Sequence, residues 1–280
     1  MVTREDYTQE AVQHCLSVMV EIMTVLGEYR DHIVLVGGWV PYFLLEDHKE
    51  EHTGSLDIDL ALDHEHISEQ HYRTILQLLE KNGYRPDDKQ PFIFYRDIKT
   101  TDQKLITVQV DLLSAEYGGT PRSHRTQRVQ DIKARKVRGS DLAFENNSRI
   151  KIKAKMPDGA VNEVSVKVSN IVPFIVMKGM ALWESAKEKH PWDIYFIIRH
   201  YPGGIEGLVE LFKPHLGNKL VTEGLSKIKK KFETVDSIGP VWTANFEYHE
   251  DTDMKQLIRR DAFERVNAFL NRLGIITYNE

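Results

Sequence analysis

Cysteine is nearly absent: Cys15 is the one cysteine in 280 residues, so no intramolecular disulfide can form. The fold must then be held by burial, and a reducing, cytoplasmic setting is the expectation. Long apolar runs are missing too. Nothing approaches the ~18 uninterrupted apolar residues of a membrane-spanning helix, so no membrane partner is expected. The stretch Met1-Val2-Thr3-Arg4-Glu5-Asp6 lacks a basic start followed by an apolar run, so no secretory signal is expected. Basic residues are not in excess. Lys and Arg number 37 against 42 Asp and Glu, for a net charge of −5 and a pI of about 6.2. No global field therefore advertises nucleic-acid binding, although a single face can still be basic. Internal repeats and low-complexity tracts are also lacking.

What remains is ordinary globular material, 41% hydrophobic and 28% charged. At roughly 150 residues per domain, the length suits one large domain or two modest ones. Residues 7–29 carry Val12, Leu16, Met19, Val20, Met23 and Leu26 at helical spacing. Ile33-Val34-Leu35-Val36 reads as a buried strand ending in the turn Gly37-Gly38. A helix is expected from Trp39 to Leu45, with Pro41 in its first turn, followed by a polar loop from Glu46 to Thr53. Leu56 to Leu62 alternates with period two, placing Asp57 and Asp59 on one face and apolar residues on the other. A helix is expected from Ile67 to Asn82, closed by Gly83. Strands follow at Phe92 to Ile98 and Lys104 to Leu113. The second sets Thr107, Gln109 and Asp111 opposite Ile106, Val108, Val110 and Leu112. Arg149 to Val168 reads as a hairpin turning at Met156-Pro157-Asp158-Gly159. From Asn170 helical patterns dominate, at 170–188, 191–200, 205–213, 215–232 and 253–273. The expected division is an α+β domain over 1–168 and a helical domain over 169–280.

Three features recur in a chemically useful order: Gly37-Gly38 between strand and helix, then Gly54-Ser55-Leu56-Asp57-Ile58-Asp59, then Asp111 on a later strand. Carboxylates at i and i+2 of a strand project from the same face and suit hard divalent cations such as Mg²⁺ or Mn²⁺. Asp111 would complete a two-metal site and help take a hydroxyl proton. Gly54 and Ser55 offer close backbone approach and a hydroxyl for phosphate oxygens. The helix after Gly37 and Gly38 offers free N–H groups.

This combination, spanning residues 37–111, resembles the signature of the polymerase-beta-like nucleotidyltransferase superfamily. A narrower resemblance follows at Ile171-Val172-Pro173-Phe174-Ile175-Val176-Met177-Lys178-Gly179-Met180-Ala181-Leu182 and Lys189-His190-Pro191-Trp192-Asp193-Ile194-Tyr195. It is similar to the Lys-x-x-Ala-Leu and Lys-x-x-Asp blocks of AbiEii-type nucleotidyltransferases, which are abortive-infection and toxin–antitoxin proteins. The resemblance implies a nucleotidyltransferase fold with a mixed sheet and a C-terminal helical domain, its active site in the cleft between the two. It implies that Asp57, Asp59 and Asp111 are catalytic and metal-binding. Gly37, Gly38, Gly54, Ser55, Lys178 and Asp193 would then be nucleotide-binding. The reaction implied moves a nucleoside monophosphate from an NTP, such as ATP, to an acceptor hydroxyl and releases pyrophosphate. The acceptor would be the 3′ end of tRNA or a protein hydroxyl, and a cognate toxin or antitoxin would be a partner. Three alternatives stay open: a small-molecule (antibiotic) nucleotidyltransferase, an antitoxin that nucleotidylates a partner protein, and a non-catalytic nucleotide-binding module.

Blander readings stand beside these. Asp57 and Asp59 can be solvated strand residues, and Asp111 an exposed one. Lys178 can snorkel from an amphipathic helix, and Asp193, two residues after Pro191, can be a first-turn helix carboxylate. His48 and His52, four apart, and His64 and His66, two apart, sit among acids and read as solvated loop rather than as a zinc site. The basic residues Arg122, Arg125, Arg128, Lys133, Arg135, Lys136 and Arg138 guide a polynucleotide or triphosphate, or form a solvated face. Trp39, Trp183 and Trp192 read as core.

Overall fold

Alternation along Asp57–Leu62 does become a strand, β2, whose Ile58 and Leu60 are buried while Asp57 and Asp59 are half-exposed. The computed structural model describes residues 3–48, 51–67, 74–99, 103–116, 126–248, 250 and 252–277. The chain is α+β, with a mixed sheet and helices gathered toward its C-terminal part. It divides into two compact units. One comprises Thr8–Val40 and Gly54–Asn170; the other comprises Met1–Tyr7, Pro41–Thr53 and Ile171–Glu280.

The first unit holds the sheet. Its strands are β1 (Ile33–Val36), β2, β3 (Tyr84–Pro86), β4 (Ile93–Lys99), β5 (Leu105–Ala115), β6 (Thr126–Val129), β7 (Ile132–Val137), β8 (Asn147–Lys155) and β9 (Val161–Ser169). The order is β3-β4-β5-β2-β1-β9-β8, with β7 on β5 and β6 on β7. β1 pairs antiparallel to β2 and parallel to β9, and its four residues are all buried, as suits a strand flanked on both edges. β5 pairs parallel to β2 on one edge. On the other edge β4 covers Leu105 to Asp111 and β7 takes over at Leu113 to Ala115. Helix α1 (Gln9–Val25) starts at Thr8, whose side chain accepts from the Ala11 amide. It packs its stripe of Val12, Cys15, Leu16, Met19, Val20 and Met23 against this sheet. Each such fully buried aliphatic side chain contributes about 1.5–3 kcal/mol. The six-residue helix α2 is Trp39–Leu44.

The structure departs from the expected elements at four places in this unit. The helix expected from Ile67 begins only at Ile75 and runs to Lys81 (α3); residues 68–73 of that expectation lie outside the described residues. Thr74 is extended and caps the helix reciprocally with Gln77, which fixes the start there. Strand β3 and the short helix α4 (Asp141–Glu145) were not expected. Nor was the β6–β7 hairpin, which lies in the basic segment. On β7, Ile132 and Ala134 are buried while Lys133 and Arg135 are exposed, so the basic side chains occupy the solvated face of a paired strand. Arg122 and Arg125 of that segment lie outside the described residues.

The second unit is helical: α5 (Ile171–Glu184), α6 (Lys189–His200), α7 (Gly204–Phe212), α8 (Lys219–Lys231), α9 (Ile238–Glu247) and α10 (Asp253–Arg272). Trp192, Phe196 and Phe246 form its aromatic centre, with ring centroids 4.8–5.2 Å apart. Helices α5 and α8 pack at a glycine pair, where a Cβ on Gly179 would stand 2.5 Å from the Gly224 carbonyl oxygen. Two early stretches of sequence belong to this unit, a difference from the expected division at 168. Tyr7 stacks edge-on against Phe246, Arg4 pairs with Glu247 and donates to the Glu51 carbonyl, and His52 packs on Trp192. Among the described residues no helix is long and apolar enough to cross a membrane.

Candidate active site

Asp59 and Asp111 are directly opposed on the adjacent parallel strands β2 and β5, and Asp57 stands level with Gln109 one pleat earlier. Residues paired in register share a face of the sheet. The two strands thus present a block of Asp57, Asp59, Gln109 and Asp111, all half-exposed, while Ile58, Leu60, Val110 and Leu112 are buried. Ser55 donates to Asp57 Oδ1 at 2.5 Å, and Gln109 Nε2 donates to Asp111 Oδ1 at 2.7 Å.

The glycine turn adjoins this block. Val36 is the β1 partner of Asp59, and Gly37 follows it with φ +72°. A Cβ on Gly37 would lie 1.9 Å from Asp59 Oδ2, so only glycine admits both this backbone and this carboxylate. Gly38 is buried at the start of α2. Gly54 has φ +69°, and a Cβ there would press on Val12 at 2.8 Å. Trp39 is fully buried, and its indole N–H donates to the Asp57 carbonyl at 3.0 Å, tying the turn to the start of β2. Cys15 lies beneath. Burial pushes its thiol well above the ordinary range, and Asp57 and Asp59 push it further, so it is an inert core thiol. Helix α2 is only six residues long. The Val40 amide donates to the Gly37 carbonyl at 3.2 Å and Pro41 has no N–H, so the first turn offers fewer donors than expected, and the macrodipole of so short a helix is small.

Whether these residues suit divalent ions is decided by donor chemistry. The block offers three carboxylates of hard oxygen ligands, and the missing Cβ at Gly37 leaves the Asp59 carboxylate its place among them, which fits Mg²⁺ or Mn²⁺. Among the described residues, the one group of three whose ligand atoms all lie within 4.8 Å of one another is elsewhere. The aspartates are therefore spread, with Asp57 turned to Ser55 and Asp111 to Gln109.

Lys178 and Asp193 lie in the helical unit. Asp193 has no solvent exposure; Lys178 Nζ is 2.6 Å from its Oδ2, Lys189 Nζ donates to its Oδ1 at 2.6 Å, and His52 Nε2 is 3.2 Å from Oδ1. Burial would raise the Asp193 carboxyl, but the Lys178 and Lys189 ammoniums hold it well below the usual carboxylate range. Burial, then Lys189, pushes the His52 imidazole down to about 4, against the pull of Asp193. One carboxylate thus anchors two lysines. Asp193 is an interior counter-ion at the fifth residue of α6, not a first-turn helix carboxylate. Lys189 and His52 were not singled out from the sequence for this role. The local signal for Lys189 is its i, i+4 spacing to Asp193; His52 has none, since it is 141 residues away.

Neither a protein-family model nor any curated protein matches the chain. Two solved structures are similar in shape. One, from H. pylori and provisionally described as a nucleotidyltransferase, is 12% identical with a TM-score of 0.49, over 97% of this chain and 100% of that one. The other is an antigenic nucleotidyltransferase-like protein from Paracoccidioides brasiliensis, 15% identical with a TM-score of 0.42, over 80% of this chain and 89% of that one. Similarity at this level decides nothing about chemistry, which rests on the residues themselves.

Proposed function

We propose that this chain is a metal-dependent nucleotidyltransferase that moves a nucleoside monophosphate from an NTP to an acceptor hydroxyl. One observation carries the reading: Asp59 and Asp111 are opposed in register, Asp57 shares their face, and Gly37 is the one residue type that fits beside Asp59. Asp57, Asp59 and Asp111 would hold Mg²⁺ or Mn²⁺. Bound there, the ions would neutralise phosphate charge and acidify the acceptor hydroxyl. Asp111 accepts the hydroxyl proton as the acceptor oxygen bonds to the α-phosphorus. The bond from that phosphorus to the bridging oxygen breaks, and pyrophosphate leaves. Ser55, which now orients Asp57, and the amides of Gly37, Gly38 and Gly54 offer donors to phosphate oxygens. The triphosphate-binding role of Lys178 is a separate proposal, and Asp193 serves it by fixing the lysine rather than by touching nucleotide.

For the acceptor we favour an RNA 3′ hydroxyl, with tRNA as the candidate; a toxin–antitoxin role is a separate proposal that rests on the Lys178 and Asp193 blocks. The test is incubation with Mg²⁺, each α-labelled NTP in turn, and total RNA, a protein extract or an aminoglycoside. Label on a discrete RNA band, lost in Asp57→Ala/Asp59→Ala protein, is expected. Label on protein or drug would reassign the acceptor. Transfer undiminished in the double variant would overturn the catalytic assignment.

A further inference from the structure

His48, Glu51 and His200 converge in the helical unit, far apart in sequence and outside the carboxylate block. His48 ends a short 3₁₀ turn, Glu46–His48. Its carbonyl accepts from the Glu51 amide at 3.0 Å, which curls the Glu51 carboxylate back beside the His48 ring. His200 comes from the last turn of α6, its ring centroid 4.3 Å from that of His48. His48 Nδ1 is 2.8 Å from Glu51 Oε1 and 3.1 Å from His200 Nδ1. One ligand atom from each residue lies within 4.8 Å of the others.

Hydrogen bonding alone serves this cluster poorly. His48 Nδ1 has one in-plane site. A proton there is divided between the carboxylate and the second imidazole; a lone pair there faces the carboxylate. A cation among the three satisfies all of them at once. The spacing agrees: ligands about 2.0–2.1 Å from a tetrahedral zinc ion stand roughly 3.3 Å from one another. The ligand types agree as well, since two imidazoles and a carboxylate suit Zn²⁺ and its first-row neighbours better than Mg²⁺. Two guanidiniums act on His200, Arg199 and Arg265. Arg265 is ion-paired with Asp261 at 2.8 Å and Arg199 donates to the Tyr195 hydroxyl beside the same carboxylate, which limits their repulsion of a cation. Side-chain exposures of 35% for His48, 55% for Glu51 and 12% for His200 leave the cluster open to solvent on one side.

We propose that His48, Glu51 and His200 form a binding site for one Zn²⁺ ion, with water completing the coordination, that staples His48 and Glu51 to the C-terminal end of α6. The sequence pairs His48 with His52 at helical spacing, but His52 turns inward to Asp193, and the true neighbour of His48 is 152 residues away.

The test uses the untagged full-length chain, stripped with EDTA and titrated with Zn²⁺ against a chromogenic chelator, with Co²⁺ absorption as a second readout. One equivalent is expected to bind. Affinity should fall about 100-fold or more in His200→Ala and in Glu51→Gln, since even residues behind metal ligands change affinity 10–100-fold. The exposed Glu51→Gln keeps the fold and guards against a folding failure in His200→Ala. Binding should persist in Asp57→Ala/Asp59→Ala, which separates this site from the proposed transferase site. Less than one equivalent in the wild type, or unchanged affinity in Glu51→Gln, would overturn the proposal.

Discussion

Gly37 and Asp59 approach so closely that the carboxylate occupies the space a side chain at position 37 would need. Gly37→Ala would have to swing Asp59 aside or open the turn, and its φ of +72° disfavours alanine in any case. Transfer is expected to fall at least about 100-fold, equivalent to about 2.7 kcal/mol of barrier. Stability should fall by about 1–3 kcal/mol. Initial rates and urea unfolding of the same preparation check both. Full activity in a folded Gly37→Ala protein would refute the link between turn and carboxylate.

Asp59 and Asp111 place like charges directly opposite each other on paired strands. Such like-charge pairs are destabilising. Asp59→Asn and Asp111→Asn should therefore lower transfer by on the order of 10³-fold, several kcal/mol of barrier, while leaving Tm equal or higher. Mg²⁺ should raise the Tm of the wild type and much less that of either variant. Thermal scans with and without Mg²⁺ decide it, and a lower Tm in both variants would mean the aspartates are structural.

Asp193 is the counter-ion of two buried ammoniums. Removing it leaves both uncompensated, so Asp193→Ala should cost about 3–5 kcal/mol. Lys178→Met should cost less, because Lys189 still balances the carboxylate. Urea midpoints of the two variants provide the comparison, and equal losses would contradict the shared-anchor arrangement.

Acid should weaken the helical unit through His52. An unfolded histidine titrates near ~6.5, whereas folded His52 titrates at about 4. Between these values the unfolded chain binds the extra proton, so stability is fully present above the unfolded value and drains away as pH falls toward the folded one. The two values bound a loss on the order of 3 kcal/mol. Below that window the depressed Asp193 carboxyl adds to the loss, since its contribution disappears as it is protonated. Tm measured in EDTA from pH 7.5 to 4 should slope downward in the wild type and more gently in His52→Gln. Identical slopes would mean that His52 is not held neutral.

Much of the candidate site was legible because a one-sided strand writes its geometry into its sequence. Asp57, Asp59, Gln109 and Asp111 alternate with apolar residues that must be buried. Which strands pair, and that Asp59 stands level with Asp111, depends on tertiary register and was not. Strand β7 was hidden because Lys133 and Arg135 fill its outward positions and read as a charge run. Helix α9 was hidden by Gly239 and Pro240, which look like a break. They sit harmlessly in the first turn, where a Cβ on Gly239 would strike Phe232 at 2.4 Å. The partnerships of His52 with Asp193 and of His48 with His200 have no local signature at all.

The helical unit takes residues 1–7 and 41–53 from early in the chain and 171–280 from its far end. On a ribosome, then, the early stretches emerge long before their helices. At about 5–20 residues per second, residues 54–170 occupy roughly ten seconds of synthesis. During that interval Tyr7 and His52 await the helices that will bury them, while the strands of the sheet are made one after another. The connectivity thus lets the sheet close once β9 has been made, before the helical unit has all of its helices.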